Sequence, residues 1–403
     1  MPKLKSSLFT TCGAQCLLSF LAASSQAELA TSVLHSFSGG SGDGRRSSAR
    51  LVVAGSTLYG TTVEGGAHDS GTVFSLDMPS NTFTLLHSFA DGSDGSYPWA
   101  GVTLSGSTLY GTTATGTLFS IDTVSHAYKI LRYFGGGASD GSNPQSNLTL
   151  LGSKLYGTTN YGGTANRGTL FSFDTTNNAF KVLHSFQGGQ TDGTRPVDLV
   201  LSGSTLYGVT QYGGKWDQGT LFEFDTISKA FSLRHTFKAD IGTGAAYPQR
   251  GLAIVGSTVY GIANGGGPRN YGAVYSFDTL SNRVQTLSSF GGGGGFSPFA
   301  SSGSVLYGTA DSVTTSMVFS LDTATNAITV LHTFDRDGDV GFAPYESPTL
   351  SGSTLYGTTA LGGALGGGTI FAIQLPEPSG LALAALGAAS LLSFVRLSSR
   401  KNR

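Results

Sequence analysis

Between residues 28 and 375 the chain alternates short runs of apolar and β-branched residues with turns rich in glycine. In the third such stretch, Leu148–Leu150, Lys154–Thr159, Gly168–Asp174 and Phe180–Phe186 are four successive runs. Val, Thr, Tyr and Phe favour strands, whereas Gly, Asn, Asp and Ser favour the bends between them. The pattern therefore predicts a meander of four short antiparallel strands, and nothing in this region has the 3.6-residue period of a helix.

This four-strand pattern is repeated along the chain. The motif Gly-Ser-x-(Leu/Val)-Tyr-Gly occurs seven times at intervals of 46 to 53 residues, and its tyrosines are Tyr59, Tyr110, Tyr156, Tyr207, Tyr260, Tyr307 and Tyr356. The predicted strands carry apolar residues on both faces, as expected where both faces are buried. A repeat of this length is typical of one propeller blade. We therefore predict an all-β, seven-bladed β-propeller with four-stranded blades, with a β-solenoid or two stacked sheets as alternatives.

The two ends of the repeat region complement each other. The seventh repeat stops after its third predicted strand, Gly368–Ile373, whereas an isolated strand, Val33–Phe37, precedes the first repeat. Val33–Phe37 matches the fourth strands of other repeats, such as Leu183–Phe186. We predict that this N-terminal strand completes the last blade and closes the ring, because closure removes exposed sheet edges.

The repeat resembles the GloVer (Gloeobacter/Verrucomicrobia) tandem repeat. The matching blocks in the first unit are Leu58-Tyr59-Gly60-Thr61-Thr62, Gly71-Thr72-Val73-Phe74 and Leu86-His87-Ser88-Phe89. The fifth and sixth units depart from it, for example at Gly261-Ile262-Ala263 and Ser316-Met317-Val318. The resemblance implies a surface-anchored repeat protein and brings no catalytic residues with it.

The N-terminus has the order of a secretory signal. Lys3 and Lys5 precede an apolar stretch at 8–21, which is followed by the small-residue run at 24–27. This order predicts a signal peptide at 1–27 that is cleaved after Ala27. The remaining domains are then the propeller at 28–375 and a tail at 376–403.

The tail combines a Pro-Glu-Pro triplet, an apolar span and a basic cluster. The triplet is Pro376-Glu377-Pro378, the apolar span is 381–395, and the basic residues are Arg396, Arg400, Lys401 and Arg403. An apolar span before basic residues predicts one C-terminal transmembrane helix with a cytoplasmic end. The three parts resemble the PEP-CTERM sorting signal, which implies processing by an exosortase in a Gram-negative bacterium that makes exopolysaccharide. A permanent anchor is the alternative, and either predicts an exported protein at the cell surface or in the extracellular matrix.

Charge and cysteine content exclude several functions. Residues 28–375 contain 17 Lys/Arg and 23 Asp/Glu, a net charge of about −6, which argues against nucleic-acid binding. Cys12 and Cys16 both lie in the predicted signal peptide, so the mature protein would lack disulfides and thiolate sites. We expect no cofactor and no metal. The acidic loop at 335–339 has the composition of a calcium site but not its closing glutamate, which favours an ordinary loop.

No set of acids or nucleophiles was found that is confined to particular repeats, so we expect no catalytic residues and no enzyme. Five histidines share one position on the last strand of a repeat, which favours a structural role: His35, His87, His184, His235 and His332. The acids that end the third strands precede Thr/Ser/Asn turns and are expected to bond their own backbone: Asp77, Asp122, Asp174, Asp225, Asp278 and Asp322. The Asp-Gly pairs beginning at Asp43, Asp94, Asp140 and Asp192 are expected to form turns.

The variable loops favour a binding function. In a four-strand meander, the long second-to-third connections and the blade-to-blade connections lie on one face of the disc. Aromatic residues in those loops are our candidate ligand-binding residues: Tyr97, Trp99, Tyr161, Tyr212, Trp216, Tyr247 and Tyr271. Such rings can stack on sugars or anchor a protein. We expect a non-catalytic propeller that binds polysaccharide or protein; the alternative is a carbohydrate-active hydrolase or lyase, for which Lys215, Asp217 and Arg269 are the irregular candidates.

Overall fold

The computed structural model describes residues 29–90, 92–240, 244–267, 272–289, 299–311, 316–336 and 338–376, and within these ranges the regular elements are all strands. Most of them form seven antiparallel sheets, each a meander in which successive strands are hydrogen-bonded neighbours, and the remaining four form two small two-stranded sheets. The prediction of an all-β, seven-bladed propeller with four-stranded blades is confirmed. The tail helix was predicted for residues that lie outside the described ones.

The strands are numbered within each blade in chain order, except that the chain's N-terminal strand is the fourth strand of blade 7. Blade 1 consists of Val52–Ala54, Thr57–Thr62, Thr72–Asp77 and Thr82–Ser88. Blade 2 consists of Thr103–Ser105, Thr108–Thr112, Thr117–Asp122 and Tyr128–Tyr133. Blade 3 consists of Thr149–Leu151, Lys154–Thr159, Thr169–Asp174 and Phe180–Ser185. Blades 4 and 5 consist of Gly193–Ser202, Thr205–Gly213, Thr220–Asp225 and Phe231–Thr236; and Ala253–Val255, Thr258–Gly266, Ala273–Asp278 and Arg283–Ser289, with Ala245–Pro248 as an additional strand. Blades 6 and 7 consist of Ala300–Ser302, Val305–Asp311, Ser316–Asp322 and Ile328–Phe334; and Thr349–Ser351, Thr354–Thr359, Thr369–Gln374 and Thr31–Ser36.

The first strand of each blade lies nearest the propeller axis. The hydroxyl of Thr103 donates to the carbonyl of Leu148 in the next blade at 2.7 Å, and Thr149 donates to Leu199 at 3.2 Å. Thr349 makes the same bond to Leu51, so it joins blade 7 to blade 1. A threonine hydroxyl thus connects neighbouring first strands at three of the seven blade junctions.

The N-terminal strand closes the ring, as predicted. Thr31–Ser36 pairs antiparallel with Thr369–Gln374, with Thr31 opposite Ile373 and Ser36 opposite Thr369. The third strand of blade 7 therefore has a partner on both sides. Because a strand edge with free N–H and C=O groups can recruit another chain, this pairing removes a site of aggregation.

Apolar side chains between adjacent blades form the core. Seven clusters of buried residues occur in the described chain, and each draws its members from two neighbouring blades. The glycine of the Leu-Tyr-Gly motif makes room for this packing. A Cβ atom on Gly157 would lie 2.6 Å from the ring of Phe171, its cross-strand partner. The motif therefore needs glycine because a phenyl ring occupies the space of a side chain.

A β-bulge interrupts the pairing of the third and fourth strands in all seven blades. In blade 3, His184 pairs with Leu170 and Val182 with Phe171, so Leu183 is the extra residue. A bulge redirects the side chains that follow it. The His184 ring, just beyond the bulge, stacks at 3.6 Å on Phe231 of the next blade.

The two faces of the disc differ, as predicted. On one face the short turns contact each other; for example, the N–H of Thr175 donates to the carbonyl of Ser153 at 2.9 Å. The opposite face, here called the loop face, carries the second-to-third and the blade-to-blade connections. Two of these pairs form small ribbons, Gly44–Arg45 with Glu64–Gly65 and Gly141–Ser142 with Tyr161–Gly162.

The predicted signal peptide and nearly all of the predicted tail lie outside the described residues. Those predictions concern 1–27 and 376–403, whereas the described chain runs from 29 to 376 with short gaps. Across that described part, we find no helix with the length and apolar character needed to cross a membrane. The two segments therefore stay predictions.

Candidate functional site

A cavity of about 460 Å³ opens where the loop-face connections of several blades meet. This volume is within the range of small-molecule binding sites. We call it the axial cavity. Its walls combine aromatic, amide and charged side chains: Ser48, Trp99, Gln145, Asn160, Arg195, Val197, Gln211, Gln249, Arg250, Tyr345 and Glu346.

A repeated backbone feature positions five of these residues. Trp99, Gln145, Val197, Gln249 and Tyr345 each follow a proline in the segment that leads into a first strand. In four of the five blade junctions, a threonine hydroxyl of the preceding blade donates to the carbonyl of that proline, at distances of 2.7 to 3.4 Å. The segments are thereby held at corresponding positions, and the residue after each proline lies in the cavity wall.

Four charged residues from four different blades meet beside the cavity. Arg250 and Glu346 line it, while Asp198 is buried behind the wall. Arg50 lies in the channel between the first strands. The blades surround it on all sides, but its side chain is exposed to the channel itself. Arg50 and Arg250 both attract the carboxylates of Asp198 and Glu346. We call these four residues the axial charge cluster.

Burial dominates the acid–base behaviour of Glu346. Its side chain is only 5% exposed, and its Oε2 atom has no hydrogen-bond partner among the described residues. The pKa of Glu346 is raised to about 8, chiefly because the carboxyl is removed from water; Arg250 and Arg50 lower this pKa, and Asp198 adds to the rise. At neutral pH most Glu346 side chains are therefore protonated and can donate a hydrogen bond.

Asp198 ties blade 4 to blade 5. Its Oδ2 atom accepts hydrogen bonds from the backbone N–H groups of Gly251 and Leu252 at 2.7 and 2.8 Å. Burial raises the pKa of this carboxyl, and the backbone N–H groups oppose the rise. This carboxyl thus supports the first strand of the next blade, directly beyond Arg250.

Arg250 is held by groups from two other blades. Its Nη2 atom donates to Oε1 of Gln145 at 2.9 Å, and its Nη1 atom donates to the backbone carbonyl of Trp99 at 3.4 Å. Burial lowers the pKa of this guanidinium, while Glu346 and Asp198 raise it. From an ordinary value of 12.5 the group still carries its positive charge at neutral pH.

The structure corrects our expectation that no acids are confined to particular repeats. Arg50, Asp198, Arg250 and Glu346 lie nine or ten residues before the motif tyrosines of their blades, and other blades have different residues there. The irregular candidates do not join this cluster. Lys215 covers Trp216 at 4.9 Å, and Asp217 accepts the backbone N–H of Gly213 at 2.8 Å; neither lines the axial cavity, and Arg269 is outside the described residues.

Some of the predicted ligand-binding aromatics lie at or near the cavity. Trp99 is in its wall, with the guanidinium of Arg46 at 4.9 Å from the ring centre. Arg195, also in the wall, lies between Tyr161 and Tyr212, at 5.1 and 5.5 Å from their ring centres. Tyr212 meets the edge of Tyr247 at 5.8 Å. These residues form a line of rings that extends from the cavity across blades 3 to 5.

The other predicted aromatics are separate from this line. Trp216 is 45% exposed between the ammonium groups of Lys215 and Lys238, which lie 4.9 and 4.8 Å from its ring centre. Tyr97 is exposed on the loop face, where its carbonyl accepts the N–H of Ala114. Tyr271 is outside the described residues. A ligand-binding role for all seven aromatics stays a prediction.

The repeated histidines connect blades, as their shared position suggested. His87 bonds Asp94 at 3.1 Å and stacks at 3.8 Å on Tyr128 of the next blade. Arg132 replaces histidine in blade 2 and bonds Asp140 at 3.0 Å. The Asp-Gly aspartates are therefore partners of this position as well as turn residues, which the sequence analysis missed.

The acids at the ends of the third strands bond their own turns, as predicted. One oxygen of Asp122 accepts the backbone N–H groups of Val124 and Ser125 at 3.1 and 2.8 Å. Hydrogen bonds from Ser125, and then from Val124, lower the pKa of this exposed carboxyl. Among the described residues, no group of three or more His, Cys, Asp or Glu side chains is placed to hold a metal ion.

The blades and their shared cavity define a seven-bladed β-propeller with a polar recess on the axis of its loop face. The family model of the Gloeobacter/Verrucomicrobia repeat matches residues 21–117 and 114–317. The chain therefore belongs to this repeat family. No curated protein matches it.

Solved structures of low sequence identity share the fold. An oligogalacturonate lyase in complex with manganese is 13% identical, with a TM-score of 0.53 over 80% of this chain and 87% of that one. The oligogalacturonate lyase of Vibrio parahaemolyticus is 12% identical, with a TM-score of 0.59 over 88% and 95%. The computationally designed Ika8 protein is 13% identical, with a TM-score of 0.51 over 84% and 100%. At these identities the similarity shows the fold alone.

Proposed function

We propose that this protein is an exported, non-catalytic repeat propeller that binds a polysaccharide through its axial cavity and the neighbouring loop-face aromatics. The observation that carries the proposal is the composition of the cavity wall. It combines the faces of Trp99 and Tyr345 with the amides of Gln145, Asn160 and Gln249. Rings can stack on the apolar face of a sugar, and amides can both donate to and accept from its hydroxyls.

The line of rings beside the cavity extends the surface available to a chain-like ligand. Tyr161, Arg195 and Tyr212 contact each other in sequence, and Tyr161 is 38% exposed. A polysaccharide is long, so it can occupy the cavity with one residue and this line with the next. A small metabolite would not need the outer rings.

The ends of the chain support a location where such a ligand is found. The signal peptide and the sorting tail, with Pro376, Glu377, Pro378 and the basic cluster at 396–403, favour export, temporary membrane attachment and processing by an exosortase. The product would then be at the cell surface or in the extracellular matrix. The resemblance to this sorting signal also implies an organism that makes exopolysaccharide, which is a ligand of the proposed class.

The axial charge cluster supports a second candidate, a carbohydrate-active hydrolase or lyase. Glu346 is protonated at neutral pH beside a cavity, which suits a general acid, and Asp198 is a second carboxyl close to it. Against this candidate, Asp198 is engaged with two backbone N–H groups and is buried behind the wall. Two of the similar folds are oligogalacturonate lyases, but fold alone does not determine activity.

One experiment separates the two candidates. The full chain, purified in a mild detergent, is tested for binding on a glycan array and for release of reducing ends and unsaturated products from the same glycans. We expect saturable binding without product, and we expect Trp99→Ala to weaken that binding. Tyr133→Ala is the matched control, because Tyr133 is an exposed aromatic on the fourth strand of blade 2, away from the cavity wall. Turnover that Glu346→Gln abolishes would replace the binding function with the enzymatic one.

A further inference from the structure

The charges around the axial cavity have an excess of positive sign. Of the residues that line it, Arg195 and Arg250 are cations and Glu346 is the one acid. Behind the wall, Arg50 faces Asp198 and Glu346. Three guanidiniums thus meet two carboxyls, so the site is positive even when both carboxyls are ionised. This local charge contrasts with the net charge of about −6 on residues 28–375.

The guanidinium of Arg195 is positioned without a carboxylate partner among the described residues. Its Nη2 atom donates to the Tyr161 hydroxyl at 2.8 Å, and two tyrosine rings pack on its faces. Its backbone has a φ of 55°, and its N–H donates to the carbonyl of Arg167 at 2.9 Å. A guanidinium has five N–H donors, so most of this group remains available to a ligand.

Glu346 supplies a second observation that points to a ligand. Its Oε2 atom is buried at the cavity wall without a hydrogen-bond partner among the described residues. A buried polar atom without a partner costs free energy, so such atoms in native proteins call for an explanation. A ligand oxygen in the cavity would provide the missing partner. Because the carboxyl is mostly protonated at neutral pH, an anionic oxygen suits it best.

We propose that the axial cavity is specific for acidic saccharides and binds the anionic group of a sugar residue between Arg195, Arg250 and Glu346. This specificity rests on the proposed saccharide binding and names the substrate class. The two arginines neutralise the anion, and the Glu346 hydroxyl donates to it. A carboxylate and a sulfate ester offer the same oxygens, and a guanidinium bonds either with two parallel N–H groups.

The test compares matched acidic and neutral sugars. Calorimetry on the full chain measures binding of oligomers of galacturonate, glucuronate and mannuronate, and of the same oligomers after reduction of their carboxyl groups to alcohols. Sulfated oligosaccharides and their desulfated forms make a second arm, which distinguishes the two anion types. We expect each effective anion to bind about tenfold or more tightly than its neutral counterpart, as charge-assisted bonds require. Added salt should weaken only the anionic form.

Two variants locate the effect. Arg195→Gln should lower affinity for the anionic oligomer about tenfold more than it lowers affinity for the neutral oligomer. Arg45→Gln is the matched control, because Arg45 is on the loop face, bonds Glu64 and Asp69 and does not line the cavity. Equal affinity for anionic and neutral oligomers would overturn the specificity and leave saccharide binding intact. Absence of binding to every oligomer would overturn both.

Discussion

The Nε2 atom of His87 lies 3.1 Å from Oδ2 of Asp94, and the ring of this histidine stacks on Tyr128 of the next blade. His35 and His184 have the same arrangement with Asp43 and Asp192. One side chain thus joins a blade edge, an interblade turn and the adjacent blade. Asp94 has a second role, because its carboxylate also accepts a hydrogen bond from the backbone N–H of Ala90 at 3.0 Å.

Replacement of Asp94 by alanine should destabilise the propeller by about 1–3 kcal/mol, because it leaves His87 and the Ala90 N–H without their partner in a half-buried site. Chemical denaturation followed by fluorescence measures the change. Asp240→Ala is the control: Asp240 is exposed and, among the described residues, its carboxylate pairs only with Lys238, so its loss should cost less than about 1 kcal/mol. Equal effects of the two changes would contradict a specific role for the His–Asp pair.

The glycine of the Leu-Tyr-Gly motif should not tolerate a methyl group. In Gly157→Ala the new Cβ atom would meet the Phe171 ring at 2.6 Å, and we expect a loss of about 1–3 kcal/mol or more from overpacking. The unfolding midpoint in denaturant measures it. Gly42→Ala serves as the comparison, since nothing lies within 4 Å of its Cβ position. Wild-type stability in Gly157→Ala would show that the ring can move aside.

Tyr275 occupies the place that Phe171 and its equivalents fill in the other blades, and its buried hydroxyl has no hydrogen-bond partner among the described residues. Tyr275→Phe should therefore leave the free energy of unfolding unchanged or increase it by about 1 kcal/mol. The reciprocal change, Phe222→Tyr, should cost about 1–3 kcal/mol, because it buries a hydroxyl in the equivalent apolar site of blade 4. Thermal and chemical unfolding measure both, and a large loss in Tyr275→Phe would reveal a bond to that hydroxyl.

The raised pKa of Glu346 should make the free energy of unfolding depend on pH between about 4.5 and 8. The folded protein holds this proton up to about pH 8, whereas the unfolded chain releases it near 4.5. The contribution of this group is thus complete below pH 4.5, and it declines as pH rises from there to about 8. In Glu346→Gln that decline should disappear. The free energy of unfolding of the variant, relative to that of the wild type, should therefore rise by about 3–5 kcal/mol as the pH is increased from 5 to 9.

Unfolding midpoints at several pH values measure this difference. Glu64→Gln is the control, since Glu64 is a partly exposed surface acid bonded to Arg45 and Arg46. Its stability relative to the wild type should be nearly constant over the same range. Parallel pH profiles of wild type and Glu346→Gln would mean that water or movement of the wall relieves the burial of Glu346.

The fold could be predicted from sequence because its determinants are local and repeated. Each turn needs its own glycine or aspartate, and each blade repeats the same four strands within about fifty residues. The second strand predicted at Lys154–Thr159 has the same bounds in the structure. The pairing of the first and last strands of the chain could be predicted because the seventh repeat lacks a fourth strand and the N-terminus supplies one.

The axial charge cluster could not be predicted in the same way. Arg50, Asp198, Arg250 and Glu346 are far apart in sequence, and only the ring geometry brings them together. A comparison of the repeats finds the residues that recur in them, whereas these four residues differ from one repeat to the next. The usable signal was the variation at the positions nine and ten residues before each motif tyrosine, which circular symmetry places near the axis.

Closure of the ring by Thr31–Ser36 requires that the two ends of the chain pair with each other. The third strand of blade 7, Thr369–Gln374, is synthesised more than three hundred residues after the strand that it must pair with. Contacts so distant along the chain slow folding, because a long loop must be ordered first. A fragment that ends before Thr369 therefore lacks the partner strand of Thr31–Ser36, and under the proposed export the ring can close only after the last blade has crossed the membrane.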